Sequence, residues 1–541
     1  MDMYSSIDAN RIRLSLSSTL KGLSICLFVL LILSPLFFLL VSTTGYLADS
    51  PDGIFALLLI SGRRLTLLGN TIGLAFAVAV SAMVIGILAA TLLWRYNTGI
   101  ISYLRWFVLI LAPVPPYIHA LAWSSTMQEV NGLLQGTFRI PFQGWLASWW
   151  VQSMSLLPLA VVLALIGLKS VEPLLNDAAR VIRSDFQSYT RVVLQIALPM
   201  LLAGGGILFL LSVTDYSVPY LFQLNVYPLE IFAEFSASNE PAGAFLCALP
   251  LLLIAVVIVA LSQYGLRNVA QGTTWHKPSW NVKPEWPRWF AGLQWVAIII
   301  IVIQVLVPLI NLAVSAATWQ NIVRSVSSAA TEINYTLLIA VIAAIVSLPL
   351  AIGVSSELFK RHKLGSLLWI LVLLPVVLPP PLVGIGLISI WNSPMLIDVY
   401  GSTAMPIMAA LIRFISFAVL ILAVQYKYID SLLIDAARII QKNQFKIWLR
   451  IWIPMLLPGL IAAAGITFIM AVGELGATVL VVPPGQATLT LRIYNFLHYG
   501  ASGTVAGLCL VMIIALLIAG SIVVGSLVWW SHITAKGQAN S

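Results

Sequence analysis

A chain of 541 residues that is 60% hydrophobic and 9% charged carries far too few ions for a water-soluble globule, where about 25% of residues are charged. The net charge of +9, from 28 Lys and Arg against 19 Asp and Glu, is explained by basic loops kept on the cytoplasmic side of a membrane and calls for no nucleic acid. Cys26, Cys247 and Cys509 all lie in apolar runs, which argues against a disulfide framework or a cysteine metal site.

Arg11, Arg13 and Lys21 precede an apolar run from about Leu23 to Val41. That run is too long for a signal peptide and lacks a small-residue cleavage pattern, so it reads as the first span. A helix of about 20 apolar residues crosses a hydrocarbon core about 30 Å thick. Runs of that kind lie at 23–46, 65–94, 104–124, 147–168, 200–221 and 242–266. A second set lies at 290–314, 334–359, 366–391, 405–426, 455–474 and 504–530. The expectation is an all-α polytopic membrane protein of about 12 transmembrane helices, arranged as a 6+6 parallel pseudo-twofold repeat. Residues 1–266 form the first six-helix half, 267–289 a proline-containing cytoplasmic linker, and 290–541 the second half. With the N-terminus inside, 22 of the 28 basic residues fall in inside segments; Arg63, Arg64, Arg139, Arg324 and Arg492 fall outside, and Arg413 within a span. That asymmetry predicts two cytoplasmic termini.

The repeat is visible in the residues. Asp177-Ala178-Ala179-Arg180 recurs 258 positions later as Asp435-Ala436-Ala437-Arg438, each followed by basic residues and a proline opening a span, Pro199 and Pro454. The cluster Pro113, Pro115, Pro116 corresponds to Pro375, Pro379, Pro380, Pro381, and FLLSVTDYSVPYL to FIMAVGELGATVL, which sets Asp215 opposite Glu474. In the first cytoplasmic segment Ala178, Val181, Ile182, Phe186 and Tyr189 fall at helical spacing, predicting one amphipathic helix over Asp177–Thr190. The second copy places Ala436, Ile439, Ile440 and Trp448 among Arg438, Lys442, Lys446 and Arg450, over Asp435–Trp448. Such a helix either lies on the membrane surface or enters a partner's groove; two copies on one side favour the groove.

These segments resemble the cytoplasmic loop of the integral-membrane permeases of binding-protein-dependent ABC importers, type I, which reads E-A-A, three residues, G, nine residues, I, one residue, L-P. Asp435, Ala436, Ala437, Ile451 and Pro454 match it, with Gln441 in place of the Gly. Asp177, Ala178 and Ala179 match in the first copy, with Arg183 in place of the Gly and the Ile196, Leu198, Pro199 ending three residues late. The tandem arrangement is similar to the fused permeases of ferric-iron, thiamine and phosphonate uptake, a likeness that includes residues 473–500. The resemblance implies a transporter subunit of the bacterial inner membrane, not an enzyme. Separate ATP-binding-cassette ATPase subunits would dock on Asp177, Ala178, Ala179, Arg180, Arg183 and on Asp435, Ala436, Ala437, Arg438, Gln441. A periplasmic or surface-tethered binding protein would deliver the substrate. The chain holds no G-x-x-x-x-G-K-[ST] phosphate loop, no H-E-x-x-H and no nucleophile–base set, so no catalytic residue, metal or cofactor is expected.

Ionisable residues within spans cost about 2.5–3.5 kcal/mol on insertion scales and are functional candidates. Asp215 and Glu474 lie about 24 and 30 Å above the cytoplasmic ends of their spans at about 1.5 Å per residue. The expectation is that they face one another at the outer mouth of a pathway, where two carboxylates would suit a hard cation such as ferric iron; the alternative is a pair of helix caps. Arg413 needs a partner, with Glu474, Asp215 or helix-end carbonyls as choices, and its symmetry position falls near Ser155. His119 reads as a packing residue, and Gly204-Gly205-Gly206 as a close helix contact. The competing class is an ion-gradient-driven secondary transporter of 6+6 design.

Overall fold

A computed structural model describes residues 2–49, 61–95, 106, 108, 110, 114–134, 141–272, 284–358, 363–427, 429, 439–441, 444–497 and 503–539. Among them every regular element is helical. The first set is α1 (Asp2–Asp49), α2 (Gly62–Arg95), α3 (Pro116–Leu133), α4 (Gly144–Lys169), the short α5 (Pro173–Ile182) and α6 (Asp185–Ser188), α7 (Leu194–Thr214), α8 (Ser217–Leu221), α9 (Tyr227–Ser238) and α10 (Pro241–Gly272). The second set is α11 (Arg288–Ala316), α12 (Trp319–Ser328), α13 (Ala330–Leu358), α14 (Lys363–Val377), α15 (Pro380–Trp391), α16 (Ile397–Tyr400), α17 (Ala404–Lys427), α18 (Gln444–Ile447), α19 (Ile453–Val472), α20 (Thr478–Val481), α21 (Leu489–Leu497) and α22 (Gly503–Ala539).

Ten of these helices are long and apolar enough to span a bilayer, or eleven if the bent pair α14–α15 is one span. The chain is therefore a polytopic all-α membrane protein. Of the third expected span, 104–124, residues 104, 105, 107, 109 and 111–113 lie outside those described, and 116–124 form the start of α3. The bend between α14 and α15 is 105°, where Pro379 precedes Pro380 and Pro381. Proline has no N–H to give the preceding turn but fits the first turn of a new helix, so one helix stops and another starts.

The spans are apolar on every side because their outer faces meet hydrocarbon. On α2, Phe76, Val80 and Val84 are exposed, while Ala75, Val78, Ala79, Ala82 and Met83 between them are buried. The buried stripe is mostly small, which lets helices approach. Gly204 illustrates this on α7: a Cβ there would stand 3.2 Å from Leu163 of α4 and 3.3 Å from Met83 of α2.

Helices before and after the linker meet in corresponding pairs. α2 packs on α4 and α7 as α13 packs on α17 and α19; α7 packs on α10 as α19 packs on α22. The first helix of each set crosses to the other: α1 lies on α13 and α15, α11 on α2 and α3. One buried bond recurs on both sides. The Tyr227 N–H donates to Thr71 Oγ1 and the Leu489 N–H to Thr336 Oγ1, both at 2.8 Å. Each hydroxyl also donates one turn back, to Leu67 O and Glu332 O. The bonds tie the starts of α9 and α21 to α2 and α13.

Candidate functional site

At one end of the bundle two spans stop and turn. α7 ends at Thr214, and Asp215, in extended conformation, opens the turn to α8. Asp215 Oδ1 accepts from the Ser217 N–H at 2.9 Å and the Ser217 hydroxyl at 2.6 Å. Its Oδ2 accepts from Gln152 Nε2 at 2.9 Å, and Gln152 Oε1 accepts from Ser212 Oγ at 2.6 Å. α19 ends at Val472, and Glu474 folds over the start of α20. Its two oxygens accept the Ala477 and Thr478 N–H groups at 2.8 Å each, together with the Thr478 hydroxyl and Arg413 Nη1. The Glu474 side chain is 1% exposed and that of Arg413 21%.

Of the two alternatives for these carboxylates, a facing pair for a cation or a pair of helix caps, the hydrogen bonds are those of caps. Both are caps, each holding backbone N–H or hydroxyl donors of the next short helix, and Glu474 is spent on an ion pair as well. A carboxylate with its lone pairs so engaged is not presented to a metal. Among the described residues no group of three or more His, Cys, Asp or Glu is placed to hold one. Of the choices open to Arg413, Glu474 is the partner found. The residue corresponding to Arg413 is Gln152, one turn before the expected Ser155. The amide is hard to find in the sequence because it carries no charge and sits in an apolar run.

The two turns lie in one neighbourhood. Tyr216 is within electrostatic reach of Asp215, Glu474, Arg413 and Tyr494, and Tyr494 of Asp215 and Tyr220. The Glu474 turn is held between the proline-led helices. A Cβ on Gly473 would stand 3.0 Å from Pro115 Cγ, and one on Gly476 would run into Pro380. Only glycine allows backbone this near to a proline ring. Tyr117 of α3 donates to Met512 Sδ at 3.2 Å and Thr490 Oγ1 at 3.4 Å, tying α3 to the second set. His119 is 3% exposed, and its ring nitrogens meet no protein hydrogen-bond partner among the described residues.

At the other end of the same spans lie the repeated segments. The helix expected over Asp177–Thr190 is in fact two. α5 ends at Ile182, Arg183 is extended, and Ser184 restarts the chain by accepting the Gln187 N–H at 3.4 Å. The break divides the apolar residues between two surroundings. Val181 and Ile182 are 86% and 85% exposed, whereas Tyr189 is buried at 4%. Ala178 and Arg183 are exposed, and Asp177, Ala179 and Arg180 half-buried; Arg180 pairs with Asp185. In the second copy Asp435, Ala436, Ala437 and Arg438 lie outside the described residues, and Gln441 is half-buried. Ile439 and Ile440, 258 positions after Val181 and Ile182, are 83% and 86% exposed. Both segments enter their spans through one π-helical turn, Tyr189–Val193 and Trp448–Trp452. A residue inserted into a helix in this way is common at functional places.

No family model matches the chain. It is 30% identical over 201 residues, 34% of this chain and 88% of the relative, to the molybdenum transport system permease protein ModB of Haemophilus influenzae. It is 27% identical over 255 residues, 43% of this chain and 93% of the relative, to the protein of the same name in Mycobacterium tuberculosis. A stretch of 61 residues, 11% of this chain and 23% of the relative, is 34% identical to the putative 2-aminoethylphosphonate transport system permease protein PhnV of Salmonella paratyphi A. The fold and these likenesses define a transport permease subunit, which is not itself an enzyme. The chain belongs to the integral-membrane permeases of binding-protein-dependent ABC importers and is a multi-pass protein of the inner membrane.

Proposed function

We propose that this chain is a two-halved permease, residues 1–266 and 290–541, with both termini cytoplasmic, driven by ATPase subunits that dock on one cytoplasmic segment from each half. The observation that carries the reading is the set Val181, Ile182, Ile439 and Ile440: four branched aliphatic side chains, each more than four-fifths exposed, at matching positions of two repeated segments. Burying one such side chain gains about 1.5–3 kcal/mol, so four left bare outside the spans favour a partner's groove. Docking residues in the first segment are Asp177, Ala178, Ala179, Arg180 and Arg183, and in the second Asp435, Ala436, Ala437, Arg438 and Gln441. The matching helix pairs support two halves, as does the length of the relatives, each of which occupies less than half of this chain.

The far ends of α7 and α19 are the outer gate in this reading. Asp215, Glu474 and Arg413 hold its turns in place, and Pro115 and Pro380 brace the Glu474 turn. The substrate class is a small oxygen-rich anion, delivered by a binding protein. The relatives' names support this, since phosphonates are such anions and molybdenum in neutral aerated water is an oxyanion. Ferric iron has no support from the carboxylates, which are engaged as caps. The test is reconstitution of the affinity-tagged chain. ATPase subunits are expected to co-purify, and uptake of radiolabelled molybdate or phosphonate to require ATP and binding protein. Replacing Val181 and Ile182 by Asp together is expected to release the subunits. Accumulation driven by a proton or sodium gradient without nucleotide contradicts the proposal.

A further inference from the structure

Behind the Asp215 turn the helices bury polar groups that nothing satisfies. The short helix α8 lies on α3 and α4, and α11 packs on the same two helices. Where they meet, Val218 and Phe222 pack with Trp123 of α3 and Val151 of α4, and Trp150, Ile300 and Val307 close over them. The Trp123 and Trp150 rings meet edge to face at 5.4 Å. His119 lies one turn before Trp123, on the same side of α3. Gln304 lies one turn from Ile300 and one from Val307, on the side of α11 that faces this cluster. His119, Trp123 and Gln304 are 3%, 4% and 1% exposed. Trp123 Nε1, Trp150 Nε1, both His119 ring nitrogens and Gln304 Oε1 are buried and meet no hydrogen-bond partner among the described residues.

A buried indole N–H ordinarily finds an acceptor, and every polar group left unpaired has given up its water for nothing. The fold does not require that loss, as the second half shows. α3 and α15 each begin at a proline that follows another, Pro115-Pro116 and Pro379-Pro380. That register sets Val383 and Leu387 where His119 and Trp123 stand, and the match of Gln152 with Arg413 sets Leu411 where Trp150 stands. All three are buried in the apolar cores. Side chains with no polar atom thus fill the same places.

The four polar side chains share one chemistry. Two indoles and an imidazole supply three N–H donors, and the Gln304 amide can turn its NH2 end inward. None carries a negative charge to repel an anion. Uncharged donors hold an oxyanion less tightly than a guanidinium does, which suits a site that must pass its cargo on.

We propose that His119, Trp123, Trp150 and Gln304 form a site for the transported oxyanion beneath α8, in the first half alone, and that their N–H groups take its oxygens when α8 lifts from α3 and α4. The inference rests on the reading of this chain as an oxyanion permease. Cover and site have a common support: Gln152, which holds Asp215 at the start of the α8 turn, is two residues beyond Trp150 on α4.

The experiment uses the full chain and two variants, Gln304→Met and His119→Leu, each an apolar side chain of similar size. Millimolar molybdate or methylphosphonate is expected to raise the unfolding temperature of the wild-type chain in detergent by about 2 °C or more. Without anion both variants are expected to unfold at or above the wild-type temperature, because an orphaned group has gone; with anion, the shift falls to less than half. In proteoliposomes with ATPase subunits and binding protein, uptake is expected to drop at least fivefold in each variant while the subunits stay bound. No anion shift in the wild type, an equal shift in both variants, or a lowered unfolding temperature with uptake within twofold of wild type overturns the inference. A wild-type chain that shows the anion shift but takes up neither anion with ATP and binding protein defeats the permease reading and leaves the site standing.

Discussion

Gln152 stands to Asp215 as Arg413 stands to Glu474. In each case a side chain on α4 or α17 holds the carboxylate that caps the turn after α7 or α19, but one holder is neutral and the other charged. Leaving a buried carboxylate without its cation costs about 3–5 kcal/mol. Arg413→Ala is expected to lower stability by that order, and Arg413→Gln to recover at least half of the loss, since Glu474 keeps two backbone donors and a hydroxyl. Thermal unfolding in detergent measures both; a Gln variant no better than the Ala variant contradicts the equivalence.

The bonds from Thr71 and Thr336 give a second expectation. Thr71→Val and Thr336→Val each leave one buried backbone N–H, that of Tyr227 or Leu489, with no acceptor. Such an orphaned group costs about 1–3 kcal/mol. The Ser variants keep the oxygen and are expected to lie close to wild type. The two Val variants, being far apart and matched in environment, should show similar losses and add in combination.

The ends of α2 and α13 are fastened with opposite signs. Arg63 and Arg64 at the start of α2 pair with Glu230 and Glu234 of α9, whereas Glu332 of α13 pairs with Arg492 of α21. Glu230 and Arg492 are each the third residue after the one bonded to Thr71 or Thr336. Like charges would therefore oppose α9 if it docked on α13, which steers each short helix to its own neighbour. Arg492→Glu is expected to destabilise, and adding Glu332→Arg to restore most of the loss, with a coupling of about 0.5–3 kcal/mol in a double-mutant cycle.

Gly476→Ala places a methyl group in the space of the Pro380 ring. Overpacking of this kind costs about 1–3 kcal/mol, and here the strain falls on the turn that Glu474 caps. Uptake in proteoliposomes is expected to fall more than the amount of protein in the membrane.

Hydropathy makes the spans plain, because about 20 apolar residues in a row have few other uses, and the D-A-A-R pair draws attention to the two cytoplasmic segments by repetition. The prolines at 379–381 announce a break, though not its 105° angle. Other features leave no local mark. A π-helical turn differs from an α-helical one by a single inserted residue and has no composition of its own. Gln152 looks like one more residue of a span until Asp215 is beside it. The stacking of Phe186 and Tyr189 on Trp286, Trp289 and Phe290 joins residues about a hundred positions apart. Periodicity placed Val181, Ile182, Phe186 and Tyr189 on one helix face, but the stop at Ile182 turns the first two outward and the last two toward the spans.

Cysteine cross-linking at Val181 and Ile440 tests the central claim most directly. With Val181→Cys and Ile440→Cys made separately in a cysteine-free chain, each is expected to form a disulfide with a cysteine placed in the groove of the ATP-hydrolysing subunit. The yield should change when ATP replaces ADP. No cross-link at either position, together with solute uptake that persists when those subunits are removed, would contradict the account.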